Sequence, residues 1–108
     1  MNAQFKKGVL DMCVMALLGL RDRYGYELVH EISERFEISE GSIYPLLRRL
    51  LTEGYVTTYL QESDEGPARK YYSLTTQGII ARDELIREWR EFSAAVSDLI
   101  GEMTNAEG

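Results

Sequence analysis

The chain is 108 residues long, 44% hydrophobic and 28% charged, a balance that belongs to one folded domain with a single modest core. One cysteine, Cys13, and one histidine, His30, exclude an intramolecular disulfide and a metal site built from those two alone. The longest apolar stretch, Val9 to Leu20, is interrupted by Asp11 and is too short to span a bilayer.

The net charge of −6 argues against a strong general affinity for nucleic acid, but it is unevenly spread. Residues 1–50 hold seven Lys/Arg and seven Asp/Glu, whereas residues 51–108 hold five and eleven. A local basic face is therefore compatible with the total. Phe5-Lys6-Lys7 ahead of the apolar stretch has some look of an export signal, yet no small-residue cleavage site follows. The expected compartment is the cytoplasm, with no membrane contact.

The first predicted element is a helix from about Gln4 to Leu20. Val9, Cys13, Ala16, Leu17 and Leu20 share one face, with Leu10, Val14 and Leu18 beside it. A helix so apolar around its circumference needs cover on several sides. Arg21-Asp22-Arg23 reads as a polar break. Tyr24 to Phe36 is a second helix, with Leu28, Val29, Ile32 and Phe36 at helical spacing. Its Glu27, Glu31 and Glu34 are expected to face water.

A third helix follows, over about Ser39–Glu53. Ile43, Leu46, Leu47, Leu50 and Leu51 form its core-facing stripe, and Ser42, Tyr44, Pro45, Arg48, Arg49 and Thr52 lie opposite. Its start is open: with Ser39 as N-cap Pro45 falls in the second turn, and with Ser42 as N-cap it falls in the first. Gly54 ends it. Beyond Gly54 the period becomes two, giving a strand from Tyr55 to Gln61, a turn over Ser63–Pro67, and a second strand from Lys70 to Leu74. Together they form a hairpin. The last helix runs from near Thr75 to about Met103. Leu85, Trp89, Phe92, Val96, Leu99 and Met103 alternate at four and three residues, an a/d pattern. Thr104 to Gly108, small and polar, are expected to be disordered.

Three short helices, a hairpin and a long helix make a mainly α fold with a small β-hairpin, a winged helix-turn-helix followed by a dimerisation helix. The expected division is 1–75 for the DNA-binding domain and 76–108 for the long helix and its tail. The second helix of such a motif enters the major groove, where Arg reaches guanine and Ser42 with the helix-start amides suits a phosphate. Tyr44 can offer its hydroxyl to the backbone or its ring to a thymine methyl. On this reading Ser42, Tyr44, Pro45, Arg48, Arg49, Arg69 and Lys70 contact double-stranded DNA. The alternative is that Arg48 and Arg49 form a solvated face, and that Arg69 and Lys70 guard an exposed hairpin against aggregation. A lobe of about 75 residues cannot cover the stripe of the last helix, so a second copy should, placing two reading helices about one DNA turn, ~34 Å, apart on a pseudo-palindrome.

Three motifs in order, Tyr24-Gly25-Tyr26-Glu27-Leu28, Glu40-Gly41-Ser42-Ile43-Tyr44-Pro45-Leu46-Leu47-Arg48-Arg49-Leu50 and Arg69-Lys70-Tyr71-Tyr72-Ser73-Leu74-Thr75, resemble the PadR family of transcriptional regulators from about Lys7 to Met103. The resemblance implies a homodimeric winged-helix repressor whose C-terminal helix makes much of the dimer contact through Leu85, Trp89, Phe92, Val96, Leu99 and Met103. The single long helix is similar to the shorter branch, which includes multidrug-sensing members. There a tryptophan on this helix stacks on planar aromatic ligands, and Trp89, with Phe92 one turn on, stands at the matching distance. By pattern alone Trp89 is more readily a packing residue, and only the resemblance gives the ligand reading equal weight; Met12 and Met15 read as core rather than ligand walls. Cys13 reads as a buried inert thiol and His30 as an exposed residue. No catalytic set, phosphate loop or metal spacing is present, so neither enzymatic activity nor a cofactor is expected. The rival reading is a winged-helix module that binds only protein, which the acidic charge favours.

Overall fold

The computed structural model describes residues 3–107; Met1, Asn2 and Gly108, the outermost residues of the two expected domains and of the polar tail, lie outside the described residues. Helix α1 is Ala3–Leu20, strand β1 Arg23–Tyr24, α2 Gly25–Arg35, α3 Glu40–Thr52, β2 Val56–Ser63, β3 Gly66–Leu74 and α4 Thr76–Glu107. The three short helices enclose a core of Val14, Met15, Leu28, Ile32, Ile43, Leu47 and Leu50, closed on the sheet side by Val56 and Tyr72.

On α1 the side that turns inward is the row Leu10, Val14 and Leu18, while Leu20, expected on the main apolar face, is exposed. Cys13 and Leu17 pack only partly against the core. Burial nevertheless pushes the Cys13 thiol up, which keeps it in its unreactive form. On α3 Leu51 is also exposed, so its core stripe ends at Leu50.

Arg21-Asp22-Arg23 is more than a break. Arg23 is buried, pairs through Nε with Glu31 Oε2 at 2.5 Å, and donates to the Leu17 and Arg21 carbonyls. It thereby adds a second donor to the Leu17 carbonyl, which already accepts from the Arg21 N–H at 3.4 Å, and ties that end of α1 to α2. Glu31 is accordingly partly covered rather than free in water, and so is Glu27, which accepts from the Tyr24 N–H at 3.2 Å and pairs with Arg21 at 3.0 Å.

The hairpin is part of a three-stranded antiparallel sheet in the order β1-β3-β2. Arg23 pairs with Tyr72 and Tyr24 with Tyr71. A two-residue strand has no visible period, which is why the pattern concealed it. The wing strands also reach further than expected, leaving only Asp64 and Glu65 between them, with an irregularity between Gln61 and Ser63. Pro67 lies inside β3 where β1 does not extend, so the N–H it lacks is not needed by a neighbour on that side.

Ser39 is the N-cap of α3, which settles Pro45 in the second turn. The C-terminus of α3 closes in a Schellman arrangement: Tyr55 N–H donates to the Leu50 carbonyl at 3.0 Å and Gly54 N–H to that of Leu51 at 3.1 Å. Gly54 has φ +81°, a conformation open to glycine at little cost. Thr75 then starts α4. Its hydroxyl donates to the Gly54 carbonyl at 2.7 Å and accepts from the Gly78 N–H at 3.0 Å. Gly78 presses against the same turn: a Cβ there would overlap the Tyr55 carbonyl oxygen and come 2.6 Å from Leu74 Cδ1.

From this seat α4 runs 32 residues, about 48 Å at helical rise. It carries Thr104 to Glu107 as helix, where the polar tail was expected to be disordered; Thr104 bonds the Ile100 carbonyl at 3.0 Å. The radius of gyration, 16.8 Å, exceeds the ~13 Å of a compact chain this long because α4 leaves the lobe.

Replacing Gly78 with alanine tests the seat. Alanine is the better helix former by about 1 kcal/mol. Gly78→Ala should nonetheless lower stability in urea unfolding by about 2 kcal/mol, because the turn must move. A stability equal to or above the unaltered protein would show that the seat yields freely.

Candidate nucleic-acid interface

Ser42, Tyr44, Pro45 and Arg48 all lie on the exposed side of α3, opposite its buried stripe. Pro45 removes one backbone donor on this exposed side of the helix. Ser42 Oγ sits 3.1 Å from Ser39 Oγ at the helix start. Glu40 adds a negative charge to that end, whereas the exposed cation on this side of α3, Arg48, stands further along.

Arg49 differs from Arg48. Its two terminal nitrogens hold the Asp11 carboxylate at 2.9 and 2.7 Å, with Glu53 at 3.7 Å. The Asp11 bond raises its pKa and neutralises its charge locally. The adjacent arginines, both expected to reach phosphate or guanine, thus face different surroundings: Arg49 is held by Asp11 and Arg48 is exposed. Their 100° separation around the helix is the reason: Arg48 points with the reading face, Arg49 toward α1.

The wing divides in the same way. Successive residues of a strand point to opposite sides, so Lys70 lies with Tyr72 and Arg69 with Tyr71. Lys70 Nζ is 5.8 Å from the centre of the Tyr72 ring. Burial pushes the Tyr72 phenol up, nearby Tyr44 adds to this and Arg48 opposes it. Tyr44, Arg48, Tyr72 and Lys70 therefore form one neighbourhood that joins α3 to the wing, and Leu60, paired with Lys70 in register and exposed, extends it. Arg69 stands on the other side, 4.7 Å over the Tyr24 ring. There Tyr24, Tyr71 and Tyr59 make a cross-strand row with ring centres 5.6 Å apart. Tyr59 donates to Asp22 at 2.7 Å, a bond that raises its phenol pKa. Leu60 and this tyrosine row escaped notice in the sequence, although the alternation that separates Lys70 from Arg69 was readable there.

A second feature lies between α1 and α4. Gly8, Val9 and Met12 face Leu85, Glu88, Trp89 and Phe92 across an apolar cleft of about 230 Å³. The Trp89 and Phe92 rings are 6.4 Å apart. Met12 lines the cleft, whereas Met15 is core. Among the described residues, Glu88 is the one charged side chain in this wall. Of the expected dimer stripe, Trp89, Phe92, Val96, Leu99 and Met103 are exposed on this single chain, and Leu85 is not: it packs against its own lobe. Among the described residues no group of three or more His, Cys, Asp or Glu could hold a metal ion, and no helix is long and apolar enough to cross a membrane.

The model of the transcriptional regulator PadR-like family matches residues 14–84. An uncharacterized protein of Lysinibacillus sphaericus is 37% identical over 89 residues, 79% of this chain and 82% of that protein. A Streptococcus transcriptional regulator of known structure superposes with a TM-score of 0.83 at 36% identity, covering 91% of this chain and 98% of that one. A PadR-like transcriptional regulator from Bacillus cereus gives 0.81 at 37% identity, with 91% and 97% covered. The family match ends at residue 84, before Trp89 and Phe92 of the cleft.

Proposed function

Because the chain belongs to the PadR-like family of transcriptional regulators, a family of DNA-binding regulators and not of enzymes, we propose that it acts as a two-fold dimer. The dimer occupies a pseudo-palindromic operator, represses transcription there, and is released by a planar aromatic cation held at Trp89. The observation that supports the DNA half is that Ser42, Tyr44, Pro45 and Arg48 share the exposed side of α3 while Lys70 lies over the Tyr72 ring, whose neighbours are Tyr44 and Arg48. This arrangement presents a helix of major-groove width with a cation on the adjacent wing. Arg69 reaches phosphate from the opposite side of the wing, and Arg49 serves the fold.

Dimerisation follows from the stripe that α4 carries beyond the lobe. Leu99, Ile100 and Met103 are each more than half exposed, a run that water disfavours and that a second copy's α4 can cover. Two lobes held this way set the spacing of two reading helices. Bound across a promoter, such a dimer excludes the polymerase.

The cleft supports the effector half. Its aromatic pair offers faces for a flat ring, its methionine adapts in shape, and Glu88 favours positive charge. A ligand there bears on α1 and α4 together and can prefer one spacing of the lobes; only that preference weakens DNA binding.

Selection from a random duplex pool should yield a pseudo-palindrome with half-sites about one turn apart. Arg48→Gln should weaken binding to the selected duplex by about 1–2 kcal/mol and lower the salt slope by about one, with Lys70→Gln acting similarly. Failure to enrich any sequence at low salt would favour the protein-binding module that the acidic charge suggests. Separately, rhodamine 6G should quench Trp89 fluorescence of the DNA-free protein. Trp89→Ala should weaken dye binding, followed through the dye's own anisotropy, by about tenfold or more; unchanged affinity would end the effector half and leave the DNA half standing.

A further inference from the structure

We propose that Asp11 is a positioning residue for DNA binding: its carboxylate holds Arg49 and so fixes the reading face of α3 to α1, the helix that also walls the Trp89 cleft. The proposal rests on the DNA-face reading above and deepens it. Asp11 stands inside the apolar run of α1, where a lone carboxylate is costly. Its side chain is only 14% exposed, and Arg49, at 27%, supplies a two-pronged partner from 38 residues away. Such forked pairs fix direction as well as distance. Arg48, the preceding residue of α3, carries the exposed charge of the reading face.

On α1 the neighbour of Asp11 is Met12, which lines the cleft opposite Trp89 and Phe92. One rigid helix thus meets the cleft through Gly8, Val9 and Met12, and meets α3 through Asp11. A displacement of α1 at the cleft reaches Arg49 without crossing a loop. The alternative role for Arg49 is direct phosphate contact. The two roles make opposite demands on Asp11: a positioning carboxylate supports DNA binding, whereas a competing carboxylate suppresses it.

The test is titration of the selected duplex across a salt series with Asp11→Asn, Arg49→Gln, the double variant and Arg48→Gln, each confirmed folded by circular dichroism at the working temperature. Asp11→Asn and Arg49→Gln should each weaken binding about tenfold, with the double variant no weaker than either single one. The salt slope should stay unchanged in all three, while Arg48→Gln lowers it by about one. Binding by Asp11→Asn as tight as, or tighter than, the unaltered protein overturns the proposal and makes Arg49 a phosphate ligand. If Asp11→Asn does not fold, Asp11→Glu decides: it keeps the charge but lengthens the arm, so weaker binding at unchanged slope supports positioning, and unchanged binding refutes it. Should Arg48→Gln leave both affinity and slope intact, the DNA-face reading itself falls, and the role of Asp11 with it.

Discussion

A threonine hydroxyl and a glycine without a side chain determine where the longest helix of this protein begins and in which direction it leaves. Thr75 bridges the Gly54 carbonyl and the Gly78 N–H, and Gly78 lies flat against the Tyr55 carbonyl. The end of α3, the start of β2 and the start of α4 are locked into one joint. Everything the protein presents to partners is referred to this joint: α3 enters it, the wing leaves from it, and α4 departs from it to cross α1. A shift of the joint would move the reading face and the apolar stripe together.

The course of α4 explains the division of labour along it. Its first turns pack on the lobe through Ala81 and Leu85, and Arg82 lies over Gly19 of α1. Its middle closes a cleft with the other end of α1. Its last turns, from Val96 onward, leave Val96, Leu99, Ile100 and Met103 exposed, and the molecule is elongated, 60 × 27 × 23 Å. The same helix therefore serves three purposes in sequence: seat, cleft wall and uncovered stripe. In a small chain this economy carries a consequence, since a change at one level is felt at the others through a single rigid rod.

The long periodic features were legible in the sequence. The three short helices, the wing and the a/d stripe of α4 follow from spacing alone, and the family motifs add the order in which they dock. What the pattern could not convey is pairing between distant side chains. Asp11 was visible only as an interruption of an apolar run, and Arg49 only as a twin of Arg48; that they belong together needs the fold, because 38 residues separate them. The tail after Met103 was misjudged for a different reason. Small polar residues are weak signals of disorder when a long helix already propagates through them, since each added residue needs only one more backbone bond. β1 was missed because two residues cannot show a period, although the buried Arg23 among polar neighbours marks its importance once burial is known.

The central claim is that the stripe beyond Val96 is covered by a second copy, since both the spacing of the reading helices and the setting of the cleft depend on it. Sedimentation equilibrium in the low micromolar range measures this directly. The account predicts twice the 12.4 kDa chain mass for the unaltered protein and a shift toward a single chain mass for Leu99→Lys. A single chain mass for the unaltered protein at tens of micromolar would contradict it.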